Sequence, residues 1–284
     1  MNCQRKWLYP LLFGLLFLFT SFLPVQAQWS EKYLGGEEVL LAETKQVNQF
    51  FRRFNCEESP LGERYYPGDS LYHARDLRRE YLNMLFDQES RSIDANLKAT
   101  FVNEVMDRRD PVYLDFHGGE WLAEVATTFK WQGQDHDVTL FMKLEEVEVG
   151  SKWVMTHVYF EPFYELFDDE GRAEVMPQFI HPLSHELDFM NLIKAFRNGG
   201  YPEIYTDATY QPDYLTLLFY EIKKGNLSFK TVNQVKFHFF QVDGWYFELD
   251  DIDRPGMNRG WLITQLAQLE AGNKDLLLKY IYRR

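Results

Sequence analysis

The apolar residues of this chain change their spacing near residue 110, and this change constrains the fold more than any other feature. Before Asp110 and Pro111 they recur at every third or fourth position, as on one face of a helix. Between residues 121 and 163 they alternate in part, and short turn sequences separate the runs, which is typical of strands. The same order recurs between residues 184 and 263. The sequence therefore predicts an α+β protein.

Helices are predicted on both sides of the first strand block. The first follows residue 37 and ends at Ser59 and Pro60, the second starts at Asp69 or Ser70, and the third starts at Ser92. A fourth starts at Ser184 and ends at Gly199 and Gly200, and a fifth extends from Pro212 to Gly225.

Strands are predicted at residues 121–131, 138–149, 153–163, 227–242 and 245–252, with another opening at Gly260. The first three form an antiparallel meander, because their connections are too short for a parallel crossover. Residues 275–284 fit a helix or a strand equally well. A turn precedes both Trp153 and Trp245, so the second block is either a diverged repeat or an independent hairpin. Whether the strands form one sheet or two units stays open.

Three N-terminal helices followed by a meander resemble the NTF2-like (cystatin-like) fold, in which helices pack on a curved antiparallel sheet. Segments 184–190, 244–247 and 259–263 also resemble a family of uncharacterised exported proteins of Bacteroidota. The resemblance implies an NTF2-like unit at residues 28–176 and a second helix-then-strand block at residues 177–284, with the sharing of one sheet left open. It selects no function, because the fold hosts enzymes, ligand carriers and dimerisation modules.

The first residues have the pattern of a secretory signal peptide. Arg5 and Lys6 precede an apolar run at residues 7–23, and the small residues Val25 and Ala27 stand three and one positions before a cleavage point. We expect cleavage after Ala27, so that residues 1–27 are removed. The alternative is a retained anchor, but the run is shorter than the roughly 20 residues of a spanning helix. No stable membrane insertion is expected after cleavage.

The net charge and the cysteine content limit which partners and which cellular compartments are expected for this protein. The formal net charge of −13 disfavours nucleic acid, because the phosphate backbone repels an acidic protein. Cys3 would leave with the leader, and Cys56 would remain as a single thiol, expected to be buried. Exported eukaryotic proteins of this size usually carry several disulfides, so a single cysteine favours a bacterial envelope protein. The sequence therefore predicts a periplasmic or extracellular protein of a Gram-negative bacterium.

Two segments contain candidate catalytic or metal-binding side chains. His181 and His185 could share a metal ion, but Pro182 disfavours helical geometry at His181, and the segment also fits a helix N-terminus that contains Glu186. No metal or other cofactor is therefore predicted. Asp115 and His117 precede a strand together with Gly118 and Gly119, and a carboxylate and a histidine can act as acid and base. His185 and Glu186 are the other catalytic candidates, and a flexible loop or a cap is the alternative in each case.

Aromatic residues make up 17% of the chain, enough to supply both a core and a binding surface. The candidate ligand-binding residues are Trp121, Trp131, Trp153, Trp245 and Trp261, each with the core as its alternative location. Glu248 and Asp250 alternate on one strand face and could form a carboxylate pair or a solvated face. The predicted function is a non-enzymatic binding or accessory protein of the cell envelope, with a small ligand or an envelope protein as partner. The alternatives are a secreted hydrolase with a His/carboxylate site and a self-associating structural component that forms a homodimer.

Overall fold

Helices and strands alternate in two blocks along the chain. The computed structural model describes residues 47–59, 61–148, 150–167, 196, 202–256, 258–270 and 272–283. The helices are α1 (Val47–Asn55), α2 (Arg75–Met84), α3 (Ala95–Val105), α4 (Glu161–Glu165), α5 (Tyr214–Lys224) and α6 (Asn273–Ile281). The strands are β1 (Trp121–Trp131), β2 (Gln134–Val147), β3 (Gly150–Tyr159), β4 (Leu227–Phe239), β5 (Trp245–Ile252) and β6 (Gly260–Gln268), and a short 3-10 helix occupies Pro202–Tyr205. The predicted leader, the start of the first predicted helix and the helix predicted after Ser184 lie outside these residues.

The six strands form one antiparallel sheet in the order β3-β2-β1-β4-β5-β6. The two strand blocks meet where β1 pairs with β4, with Trp121 opposite Phe239 and Trp131 opposite Leu227. The α+β class is confirmed, and the question of one sheet or two is answered by this pairing.

Two predicted boundaries of the meander are wrong for local reasons. Gln132 and Gly133 both have positive φ angles, of 51° and 88°, so a two-residue turn joins β1 and β2. The predicted loop at residues 133–137 is therefore mostly strand. The third strand ends at Tyr159, and residues 161–165 form helix α4 with Pro162 in its first turn, where proline needs no N–H donor.

The helix starts also differ from the prediction. Helix α3 is capped by Asp94, whose Oδ1 accepts hydrogen bonds from the N–H groups of Asn96 and Leu97 at 2.8 and 3.2 Å. Helix α2 begins at Arg75, after turns that contain the predicted caps Asp69 and Ser70. Helix α5 is capped by Asp213 and ends at Gly225 in the left-handed region, which confirms the predicted end.

Helices α1, α2 and α3 cover one face of the sheet with an aromatic core. Phe54 of α1 stacks on Phe247 of β5 at 6.3 Å, and Phe101 of α3 contacts the same ring at 5.7 Å. Tyr246 is adjacent to Phe247 on the strand and therefore points to the opposite face. There it belongs to a second cluster with Phe141 and Tyr282, formed where α6 packs on the sheet. The ambiguous C-terminal segment is thus helical.

Candidate ligand-binding cleft

A cleft lies beside the C-terminal half of α1, on the helical side of the molecule. Its volume is about 490 Å³, within the range of small-molecule sites. Three segments form it: helix α1, residues 57–64 and residues 113–116. The lining residues are Asn48, Phe51, Arg52, Asn55, Glu57, Arg64, Tyr113, Leu114, Asp115 and Phe116.

Asn55 holds the floor of the cleft together. Its Nδ2 donates to the Leu114 carbonyl at 2.8 Å, and its Oδ1 accepts from the Leu114 N–H at 2.9 Å. Asn55 is the last residue of α1, so this pair of bonds ties residues 113–116 to the end of the helix. Because both partners are buried, the connection is shielded from competing water.

Gln241 and Trp121 fix the next residues of the same wall. The Asp115 N–H donates to Oε1 of Gln241 at 2.9 Å, and Nε2 of Gln241 donates to the Asp115 carbonyl at 2.6 Å. The indole N–H of Trp121 donates to the Phe116 carbonyl at 3.1 Å. The backbone around Asp115 and Phe116 is therefore held by side chains from the start of β1 and from the loop after β4.

The Tyr113 side of the cleft is a stack of four planar groups. The ring of His73 lies between the rings of Tyr72 and Tyr113, with centroid distances of 3.8 and 4.0 Å. The guanidinium of Arg78 covers the Tyr113 ring at 4.2 Å. Both faces of Tyr113 are thus occupied by protein groups, and its hydroxyl also interacts with Arg78.

Arg78 is buried and bonds to three separate parts of the chain. Its Nε donates to the Phe54 carbonyl at 2.9 Å, and its other nitrogens donate to the Val105 carbonyl at 3.5 Å and to the Val112 carbonyl. Burial lowers the pKa of Arg78 to about 10, which still leaves it charged at neutral pH. The guanidinium therefore satisfies the ends of α1 and α3 and the start of the cleft segment.

His73 has an unusual backbone and a charged partner. Its φ angle of 56° lies in the left-handed region, which a histidine adopts only where surrounding contacts compensate. Nε2 of His73 lies 3.0 Å from Oε1 of Glu57, and the same carboxylate oxygen accepts from Nδ2 of Asn55 at 3.2 Å. The Glu57 carboxylate therefore already has two partners within the protein.

Positive charge is in excess on the arginine side of the cleft. Arg52 lies 3.0 Å from Glu58, and Arg53 lies 3.8 Å from the same buried carboxylate. Burial raises the pKa of Glu58, while Arg52, Arg53 and Arg64 act in the opposite direction. Two guanidinium groups thus pair with one carboxylate, and the charge of Arg64, which is exposed at the cleft, also acts on it from beyond ion-pair distance.

Of the predicted catalytic pair, Asp115 lines the cleft and His117 points elsewhere. Nδ1 of His117 lies 3.0 Å from Oγ of Ser151 and 3.7 Å from Oε1 of Glu146. In a hydrolase triad the serine and the carboxylate contact different nitrogens of the histidine. Here both contact Nδ1, and His117 and Glu146 are well exposed. The arrangement does not fit that mechanism.

The five predicted tryptophans do not line the cleft. Trp121 and Trp245 are buried in the core. Trp153 and Trp261 contact Phe237 at 6.1 and 4.7 Å, and Trp131 contacts Phe160 next to α5 at 5.3 Å. Trp121 has an indirect role, through its bond to the Phe116 carbonyl.

A second polar cluster lies on the other face of the sheet. Buried His238 has Nδ1 2.8 Å from the Tyr246 hydroxyl and Nε2 3.0 Å from Glu124. Lys236 lies 2.8 Å from Glu248 and 3.4 Å from Asp250, so these two carboxylates share a face, as their alternation predicts. The solvated-face alternative is wrong for Glu248, which is buried. These groups satisfy one another, which suits a structural role.

The candidates His181, His185 and Glu186 lie outside the described residues, so their roles stay predictions. Across the described part of the chain, no three His, Cys, Asp or Glu side chains come together as a metal site requires. Within the same residues, no helix has the length and apolar character needed to cross a bilayer. Comparisons with protein families, with curated proteins and with solved structures found no match.

Sequence reasoning missed most of the cleft. Glu57, Arg64, His73 and Tyr113 have no motif in common, and the chain brings them together only through the fold. No local signal in the sequence marks the stacked pair Tyr72 and His73, which lies in a turn before α2. The loop around Asp115 was identified from its glycines and charged residues.

Proposed function

We propose that the protein is an exported binding protein of the cell envelope that holds a small ligand in the cleft beside α1. The single observation that supports this most is that the cleft segment, residues 113–116, is fixed at several points. Asn55, Gln241, Trp121 and Arg78 each bond to its backbone or to that of the preceding residue. A cleft fixed before binding loses little conformational entropy when a ligand enters.

Binding suits this site better than catalysis. His73, which stacks on the lining residue Tyr113, has both ring faces covered and one nitrogen occupied by Glu57. A general base must reach the proton it removes, within hydrogen-bond distance of the substrate. The aromatic side chain of Phe116, together with the polar groups of Asn48 and Arg64, instead provides contact area and orientation.

The proposed location and fold family rest on the sequence. The leader at residues 1–27 favours export to the periplasm or the exterior, and N-terminal sequencing of the natural protein should find Gln28 as the first residue. A first residue of Met1 would contradict export by cleavage. The three helices α1–α3 before a meander also support an NTF2-like arrangement.

A thermal-shift screen tests the function. The full mature chain is heated with a panel of amino acids, dipeptides, sugars and lipid headgroups, because ligands that bind the native state raise Tm. Asn48→Trp is designed to fill the cleft, and Asn96→Trp changes an exposed asparagine of α3 outside it. We expect at least one compound to stabilise the wild type and Asn96→Trp but not Asn48→Trp. Equal shifts in all three proteins would contradict the proposal.

A further inference from the structure

Some of the charged residues that line the cleft have close partners within the protein, and others have none within ion-pair distance. Arg52 pairs with Glu58 at 3.0 Å, and Oε1 of Glu57 lies within hydrogen-bond distance of His73 at 3.0 Å and of Asn55 at 3.2 Å. Two charged lining residues remain, one of each sign: Arg64, whose charge also acts on buried Glu58, and Asp115. Among the described residues, neither has an opposite charge within ion-pair distance.

Arg64 and Asp115 belong to different walls of the cleft. Arg64 is in the segment after α1, where its backbone bridges to Glu58, and its guanidinium lies over the Tyr66 ring at 5.6 Å. Asp115 is in the segment held by Gln241, and its Oδ1 accepts the His117 N–H at 2.9 Å. That bond orients the carboxylate and uses only part of its capacity to accept hydrogen bonds.

We infer that the ligand is a zwitterion that has a free ammonium group and a free carboxylate, such as an amino acid or a short peptide. The ammonium would pair with Asp115 and the carboxylate with Arg64, and a cleft of about 490 Å³ has room for two residues. The partly exposed ring of Phe116 offers apolar surface for a side chain. This inference rests on the proposed binding function and specifies the chemistry of the same site.

The test measures the affinity of the full mature chain for the dipeptide alanyl-phenylalanine by calorimetry at low salt. Two blocked forms are compared with it, one with an acetylated amine and one with an amidated carboxylate. A hydrogen bond to a charged group stabilises by about 1.5–3 kcal/mol, which corresponds to about tenfold or more in Kd. We expect each blocked form to bind the wild type at least about tenfold more weakly.

Two variants assign the charges. Asp115→Asn keeps the acceptor for the His117 N–H. In this variant, acetylation of the dipeptide amine should no longer weaken binding, whereas amidation of its carboxylate should weaken binding as much as in the wild type. In Arg64→Gln, amidation should no longer weaken binding, whereas acetylation should weaken it as in the wild type. Both side chains are exposed, so both variants should fold, which their Tm will verify. Equal affinity of the three dipeptide forms for the wild type, or unchanged penalties in both variants, would overturn the inference.

Failure of the inference can be separated from failure of the proposed function. If glucose or another uncharged compound of the panel stabilises the wild type, and Asn48→Trp abolishes that effect, the cleft binds ligands and the zwitterion inference is wrong. If every compound, including alanyl-phenylalanine, affects the wild type and Asn48→Trp equally, both are wrong. Binding of alanyl-phenylalanine that is lost in Asn48→Trp and sensitive to both blocking groups supports both.

Discussion

The imidazole of His73 stacks on the ring of Tyr113, with centroids 4.0 Å apart and planes inclined by 17°. Arg78 covers the opposite face of the same tyrosine at 4.2 Å. The wall of the cleft is therefore clamped by two residues from the α2 region. Stability and ligand binding should depend on the same few contacts.

Arg78→Met should destabilise the protein strongly. The substitution keeps an apolar stem but removes the donors to the carbonyls of Phe54, Val105 and Val112. Loss of these bonds in a buried place should lower the free energy of unfolding by about 3 kcal/mol. Urea denaturation measures it. Arg79→Met, which loses only a surface bond to Asn103, is the control, and an equal loss in both variants would contradict the assigned role of Arg78.

Features that depend on residues close together in the sequence could be predicted, and features that depend on residues far apart in the sequence could not. The bounds of β1 and β5 are as predicted, since alternation and the turn at Asp243 and Gly244 are local signals. The cleft could not be predicted, because Asn55 and Leu114 are 59 residues apart and bond only after α1 packs on the sheet. The same holds for Glu124 and His238, which meet through the pairing of β1 with β4.

Lys236→Met should destabilise the sheet, whereas Lys230→Met should not. Burial alone would lower the pKa of Lys236, but its contacts with Glu248 and Asp250 outweigh this and raise it. Because the pKa of Lys236 is raised, the contribution of this lysine to the free energy of unfolding is fully present at neutral pH. It is lost only as the pH rises through the raised pKa. At pH 7 the loss should be about 2 kcal/mol, because the variant leaves Glu248 buried without its cation.

Lys230 is the matched control on the same strand. Its partner Asp135 is exposed, so solvent screens the pair and the denaturation midpoint of Lys230→Met should stay unchanged. Equal midpoints for the two lysine variants would show that the cluster around Glu248 contributes no more than a surface ion pair.

Glu58 should make stability depend on pH in mildly acidic solution. Burial raises the pKa of its carboxyl in the folded state, so the native protein holds this proton at pH values where the unfolded chain has released it. The contribution of Glu58 to stability therefore falls as the pH rises from the ordinary pKa of a glutamate through the raised one. Residue 58 cannot titrate in Glu58→Gln. The free energy of unfolding of this variant should therefore increase relative to that of the wild type as the pH rises over this interval.

Chemical denaturation at several pH values measures this difference, and Glu63→Gln, an exposed change in the same segment, is its control. A difference between wild type and Glu58→Gln that is constant with pH would contradict the raised pKa.

The thiol of Cys56 should be unreactive in the native protein. Its side chain is buried, Sγ lies 3.4 Å from the Leu71 carbonyl, and burial raises its pKa. A thiol reagent should label no cysteine before unfolding and one after it, since Cys3 leaves with the predicted leader. Two labelled thiols in the unfolded natural protein would show that residues 1–27 are retained. Rapid labelling of the native protein would contradict the burial.

A crystal structure of the protein with the panel compound that raises its Tm most is the most direct test of the binding site. We predict electron density for this compound between α1 and residues 113–116, in contact with Arg64 and Asp115. Density for the compound at another place, with this cleft filled only by water, would contradict the account.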